Sequence, residues 1–218
     1  YTNMPVNVQK DEKKGLYYVQ QEKKRLYFRK STPPKKIQKY YRALSMEQDK
    51  RSPHHYFDSV KDVTGKVFVD IGCAEGYSSL EIVEEAKHIY LFEQDEQWLE
   101  AIRATFEPWQ DKVTIIQKYV SDHNSSREQT LDDFFNNQTD EHLFLKMDIE
   151  GAERHALTGC KNLFQNCQKL DFAICTYHLR DDEEVISTFL NKHNCAYINQ
   201  KGFFRHRIRS VVMRGSKR

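Results

Sequence analysis

Val67-Phe68-Val69-Asp70-Ile71-Gly72-Cys73-Ala74-Glu75-Gly76-Tyr77-Ser78-Ser79 decides the fold of this 218-residue chain. Val67 to Ile71 is a short apolar, β-branched run, the pattern of a strand covered on both faces. Gly72 and Gly76 allow a sharp turn and let a ligand approach the backbone closely. Ser78 and Ser79 are placed to cap a helix running through Leu80, Ile82, Val83 and Ala86. Ligands of open α/β sheets bind beyond the carboxyl ends of such strands, which makes Asp70, Gly72, Ala74 and Gly76 candidate contacts. A dinucleotide fingerprint needs Gly-x-Gly-x-x-Gly. Here three residues separate the two glycines, a spacing poor for a pyrophosphate and for a nicotinamide-dependent oxidoreductase.

The pattern Asp70-x-Gly72-x-Ala74-x-Gly76 resembles the first motif of class I S-adenosylmethionine-dependent methyltransferases, with Ala74 in place of a middle glycine. The next apolar run, Ile89-Tyr90-Leu91-Phe92, ends in Glu93-Gln94-Asp95. An acidic residue about 20 positions after the first strand, at the tip of the second, can accept bonds from both ribose hydroxyls. Glu93 is that residue, with Gln94 beside it.

From Val67 onward strand and helix patterns alternate, which implies parallel pairing through right-handed crossovers. Trp98, Leu99, Ile102 and Phe106 mark a helix from Asp95 to Thr105, followed by Pro108. Val113-Thr114-Ile115-Ile116 is read as a third strand ending near Val120-Ser121-Asp122. Leu143-Phe144-Leu145-Lys146-Met147 is a fourth, ending in Asp148-Ile149-Glu150. Phe172-Ala173-Ile174-Cys175 is a fifth, ending in Thr176-Tyr177-His178. Two closing strands follow, around Ala196–Asn199 and Ile208–Met213. Asp70, Glu93, Asp122, Asp148 with Glu150, and His178 therefore gather at successive strand ends and form one cleft. Ser121 and Asp122 are placed on its adenine side, with Asp122 reaching the adenine amino group.

Lys146-Met147-Asp148-Ile149-Glu150-Gly151-Ala152-Glu153, taken with Thr130-Leu131-Asp132-Asp133-Phe134 and the first motif, resembles the FkbM-type methyltransferases over about residues 45 to 212. Tyr177-His178 with Asp181-Asp182 fits the later part of that family. The resemblance implies a Rossmann-like class I methyltransferase sheet, α/β, with seven mostly parallel strands and an antiparallel last strand. It also implies an O-methyltransferase acting on a hydroxyl of a sugar or glycoconjugate. A sulfonium methyl is already activated, so the chemistry needs an aligned hydroxyl and help in removing its proton. Asp148, Glu150 and His178 are the catalytic candidates, and Asp148 also belongs to the cofactor set. Asp148 and Glu150 are two apart, so on an extended segment they point the same way and could hold one divalent cation. Helix capping by these carboxylates is the structural alternative.

Residues 1–52 carry 14 Lys and Arg against 5 Asp and Glu, a net +9, whereas the remainder carries 20 against 27, a net −7. The chain thus divides into a basic, aromatic extension (1–52) and a methyltransferase domain (53–218). Residues 1–14 read as a frayed terminus or linker. Gly15–Lys30 reads as a hairpin or two short strands, and Ile37 to Ser45 as a helix after Pro33-Pro34. Lysine interleaved with tyrosine also suits nucleic acid, so a nucleic-acid-binding protein or RNA methyltransferase is the alternative function. No run approaches the ~18 apolar residues of a transmembrane span. Cys73, Cys160, Cys167, Cys175 and Cys195 include no Cys-x-x-Cys pair, which points to free thiols in a reducing, cytoplasmic setting.

Overall fold

The chain opens with three antiparallel strands, β1 (Val8–Asp11), β2 (Leu16–Gln21) and β3 (Lys24–Tyr27), in that spatial order. The structure is a computed structural model and describes residues 1–136, 141–204 and 207–217. The first fourteen residues are not frayed. Val8 to Asp11 pair with Val19 to Leu16, and Val6 is buried. Edge pairing satisfies backbone groups whatever the side chains are, so a strand with one apolar residue leaves little trace in the sequence. Helix α1 (Pro34–Glu47) starts with proline at its first position, where no hydrogen bond is lost, and buries Ile37. The expected boundary at residue 52 lies in irregular chain that leads to a 3-10 turn at Val60–Val63, closed by a Ser59–Asp62 capping box.

The main sheet then builds through β4 (Val67–Ile71), α2 (Tyr77–Ile82), β5 (His88–Phe92), α3 (Glu96–Phe106) and β6 (Val113–Ile116). A separate two-residue pair, β7 (Tyr119–Val120) and β8 (Glu128–Gln129), precedes the short α4 (Leu131–Phe134). Next come β9 (Leu143–Met147), α5 (Glu153–Thr158), α6 (Lys161–Asn166) and β10 (Leu170–Cys175). Helix α7 (Asp182–Lys192) leads to the closing strands β11 (Ala196–Phe204) and β12 (Arg207–Lys217). The seven strands lie in the order β11-β12-β10-β9-β4-β5-β6. β12 is antiparallel to both neighbours and the other pairings are parallel, as the family resemblance implied.

β4 is buried along its whole length, as its composition demands. Its side chains alternate between two apolar layers. Phe68 joins the layer of α2 and α3; Val67, Val69 and Ile71 join that of α5, α6 and α7. The amino-terminal strands and α1 belong to the first layer: Leu16, Val19, Leu26, Phe28 and Ile37 share a cluster with Leu80, Ile102 and Phe106.

Two local readings change. The third strand stops at Ile116, and Asp122 follows β7 instead. Ser78 and Ser79 do not cap α2; both lie within the helix and are buried, and Gly76 takes the capping position at φ +81°. A glycine that can enter the left-handed region displaces a serine cap because the turn arrives there in that conformation.

Candidate active site

The turn after β4 is held from below. Asp70 is 1% exposed; it accepts a bond from Ser79 Oγ at 2.6 Å, and Lys146 Nζ lies 2.7 Å from its Oδ1. Lys146 also donates to the Gly72 carbonyl at 2.7 Å. Burial works against the Lys146 ammonium, but Asp70 and Asp148 outweigh it and raise its pKa. Asp70, read from sequence as a cofactor contact, thus faces inward and supports the turn. A Cβ on Gly72 would lie 2.2 Å from the Asp148 carbonyl oxygen, so glycine is needed there for strand approach as well as for its φ of +77°. A Cβ on Gly76 would meet the Phe106 ring at 2.7 Å. That glycine serves packing against α3 and is not on the cavity wall.

Beyond these strand ends lies a cavity of about 930 Å³. Gly72, Ala74, Glu93, Gln94, Ser121, Asp122, Asp148 and Glu150 all line it, so most of the residues read from sequence are brought together. Glu93 ties the two motifs to each other. Its Oε2 accepts the Ala74 N–H at 3.0 Å and its Oε1 the Asp95 N–H at 2.8 Å. Ala74 and Glu150 both sit in the left-handed region, at φ +47° and +56°. Such backbone costs a non-glycine residue about 1–3 kcal/mol and clusters at functional sites. Asp122 is held by His123 at 2.8 Å and His155 at 3.0 Å, and these bonds bring its pKa down to about 2.

Asp148 anchors the opposite wall. Tyr56 donates to its Oδ2 at 2.7 Å and Tyr177 to its Oδ1 at 3.4 Å. Burial opposes its ionisation, but Lys146, His54, the Tyr56 hydroxyl and His178 together hold the carboxyl below its usual value. His54 bonds the Tyr177 hydroxyl at 3.0 Å, and burial lowers its pKa despite Asp148. His178 lies beside the cavity, with Nδ1 2.9 Å from Glu153 Oε1 and Nε2 3.4 Å from Asp148 Oδ1. Burial would lower its pKa; the adjoining Glu153, Asp148 and Glu150 outweigh that and raise it. The pairing of Asp148 with Glu150 assumed an extended segment. Glu150 turns into the left-handed region instead, and its side chain is 93% exposed.

Several wall residues escaped sequence reasoning. Arg29, Thr32, Lys36 and Tyr40 reach the cavity from the amino-terminal segment. Arg29 stacks over Trp98 at 4.0 Å and pairs with Asp95 at 2.8 Å, and Tyr40 donates to Glu75 at 2.8 Å. Only a signal linking residues 35 or more positions apart could have shown this. Tyr56, at the end of His54-His55-Tyr56, and Glu153, inside the fourth-strand motif, were visible but had no assigned role.

A model of the methyltransferase FkbM domain matches residues 72–203. The chain belongs to that family. The FkbM methyltransferase from Methylobacillus flagellatus is 18% identical at a TM-score of 0.56, over 69% of this chain and 43% of its own. A proposed methyltransferase of Streptococcus mutans, in complex with S-adenosylhomocysteine (SAH), is 14% identical at a TM-score of 0.52, over 72% and 93%. The M. jannaschii tRNA m1G37 methyltransferase is also 14% identical at 0.52, over 93% and 56%. At these identities the likeness is one of fold. This chain spans less than half the length of the Methylobacillus protein. A search of curated proteins returns no match. Family membership sets aside the oxidoreductase alternative. Among the described residues no helix is long and apolar enough to cross a membrane.

Proposed function

We propose that this FkbM domain is an S-adenosylmethionine-dependent O-methyltransferase acting on a hydroxyl of a carbohydrate or glycoconjugate. The observation that carries the reading is Glu93, a carboxylate on the cavity wall fixed to the Ala74 N–H of the glycine turn. The residues fit the cofactor: a cavity of about 930 Å³ is of the size that encloses a small ligand, and each Glu93 oxygen keeps a lone pair after its backbone bond. When bound, the cofactor supplies an activated methyl group. Glu93 and Gln94 would hold the ribose, Ser121 and Asp122 the adenine side, and the Gly72–Ala74 backbone the remaining end. Asp148 would face the reacting atoms from the wall shared with Ile149 and Glu150. His178 and Asp148 would orient the acceptor hydroxyl and receive its proton.

Sugar acceptors suit a rim of hydrogen-bonding groups such as Lys118, Glu128 and His155. Nucleic acid is less favoured because Arg29, the guanidinium on this wall, is already engaged by Asp95 and Trp98. All five cysteines are free and buried, in keeping with a cytoplasmic setting. Titration with SAH tests the cofactor. Glu93→Ala should weaken binding about tenfold or more, since a charge-assisted bond contributes about 1.5–3 kcal/mol. Normal affinity in a folded variant sinks the ribose assignment. Tritiated-methyl transfer screened over sugars, glycolipids and RNA tests the acceptor, and methylation of RNA alone would overturn the carbohydrate reading.

A further inference from the structure

We propose that Asp148, Glu153 and His178 bind one divalent metal ion beside the cavity. β9 and β10 are adjacent and parallel, so the residues that follow them emerge side by side. Asp148 follows β9 directly, Glu153 opens α5, and His178 stands three residues beyond β10. One ligand atom from each lies within 4.8 Å of the others. The spacing suits ligands of a single ion. Glu150 is not one of the three, and its side chain is 93% exposed although Oε2 comes within 3.7 Å of His178 Nε2.

Burial supplies the independent observation. The Glu153 side chain is 0% exposed and that of His178 is 8% exposed. Among the described residues Glu153 Oε2 has no hydrogen-bond partner, and the His178 ring faces carboxylates on both sides, Nδ1 at 2.9 Å from Glu153 Oε1 and Nε2 at 3.4 Å from Asp148 Oδ1. Buried polar atoms are nearly always satisfied, and buried charges are paired or coordinate metals. Asp148 and Glu153 bring two carboxylates here; the ammonium of Lys146 acts on Asp148 too, but its 2.7 Å contact is with Asp70.

The two carboxylates are also held from outside: Tyr56 donates to Asp148 Oδ2 at 2.7 Å, with Tyr177 at a longer 3.4 Å from Oδ1, and the Ile149 N–H donates to Glu153 Oε1 at 2.9 Å. Outer partners of this kind orient ligands in known metal sites. One imidazole with two carboxylates suits a borderline or hard divalent ion such as Mn²⁺. A second triad, His54, Asp148 and Cys175, is less suited. Its thiol is a soft donor set beside a hard carboxylate, and His54 is bonded to Tyr177. An ion held by Asp148 would adjoin the cavity and could polarise an acceptor oxygen. That role rests on the methyl-transfer reading; the binding itself does not.

The test uses the full chain stripped with chelator and titrated with Mn²⁺, with free ion followed by electron paramagnetic resonance. One ion per chain is expected. Glu153→Gln and His178→Ala should each weaken binding about tenfold or more, as loss of metal-site groups does. Glu150→Ala should weaken it less than either, since that carboxylate is exposed and stands outside the three ligands. The proposal is overturned if the wild type binds no Mn²⁺, if both variants bind normally, or if Glu150→Ala is the variant that loses the ion. Should Glu153→Gln fail to fold, His178→Ala decides alone. A parallel SAH titration separates the two readings: a chain that binds Mn²⁺ but not SAH keeps the metal site and loses the methyl-transfer assignment.

Discussion

Replacing Lys146 by methionine should be among the most damaging single changes near the cavity. The methionine keeps the length and apolar stem of the side chain but removes the ammonium. Two contacts at 2.7 Å disappear, one to Asp70 Oδ1 and one to the Gly72 carbonyl. Asp70 stays 1% exposed, with Ser79 Oγ as its remaining donor. Breaking one partner of a buried ion pair costs about 3–5 kcal/mol, a large share of the about 5–15 kcal/mol that stabilises a typical domain. For a chain of this size that corresponds to a fall in melting temperature of roughly 6–20 °C. Asp70→Asn should cost less, about 1–3 kcal/mol, because Lys146 keeps the Gly72 carbonyl and Ser79 keeps a partner. The double variant Asp70→Asn/Lys146→Met should be less harmful than the sum of its single changes, since the unpaired charge is gone. Urea denaturation of the four proteins measures the cycle. A Lys146→Met variant within about 0.5 kcal/mol of wild type would refute the buried-pair argument. If Asp70→Asn is fully stable yet no longer binds SAH, Asp70 is a direct ligand and the supporting role assigned to it is wrong.

Two further outcomes are expected. Burial pushes the Glu75 carboxyl up to about 7, only partly offset by a backbone bond and by the Tyr40 hydroxyl. Its folded pKa exceeds its unfolded one, so its stabilising proton is fully present below pH ~4.5 and lost as pH rises through 7. Glu75→Gln should therefore gain on the wild type between pH 4.5 and 8, by up to about 3 kcal/mol in chemical denaturation, and a constant difference would contradict this. Arg29→Ala removes a cation–π contact and an ion pair from the cavity wall. SAH affinity should fall several-fold, by about 1 kcal/mol, with unchanged calorimetric binding marking the amino-terminal wall as irrelevant to the ligand.

What could be read in advance follows from how local each cause is. The strands Val67–Ile71 and Leu143–Met147 are buried on both faces, so composition alone betrays them. The residues that follow such strands must meet at one edge of a parallel sheet, which is why Glu93 and Asp148 could be gathered from sequence, whereas Asp122 arrives there from the separate pair β7–β8. Direction was harder. Asp70 and Glu93 both follow apolar positions, yet one points down to Lys146 and the other up to the cavity. That choice depends on a lysine 76 positions away in the chain. Glu150 was misplaced because a non-glycine residue in the left-handed region breaks the alternation on which its pairing with Asp148 relied. β1 was missed because its pairing is a property of β2, and the wall built by Arg29 and Tyr40 is a tertiary contact without local pattern.

The family match begins at residue 72, but the fold it describes does not close there. Phe28 and Ile37 lie in the same apolar cluster as Ile102 and Phe106, and Tyr40 reaches across to Glu75 inside the glycine turn. Genetic exchange that carried only residues 72–203 into another protein would deliver the motifs with one wall of the cavity missing and apolar surface exposed. The inheritable module therefore begins upstream of its recognisable signature. Among descendants, changes at Arg29 and Trp98, or at Tyr40 and Glu75, should arise as matched pairs, and the extension should diverge in step with α3 and not as a free appendage.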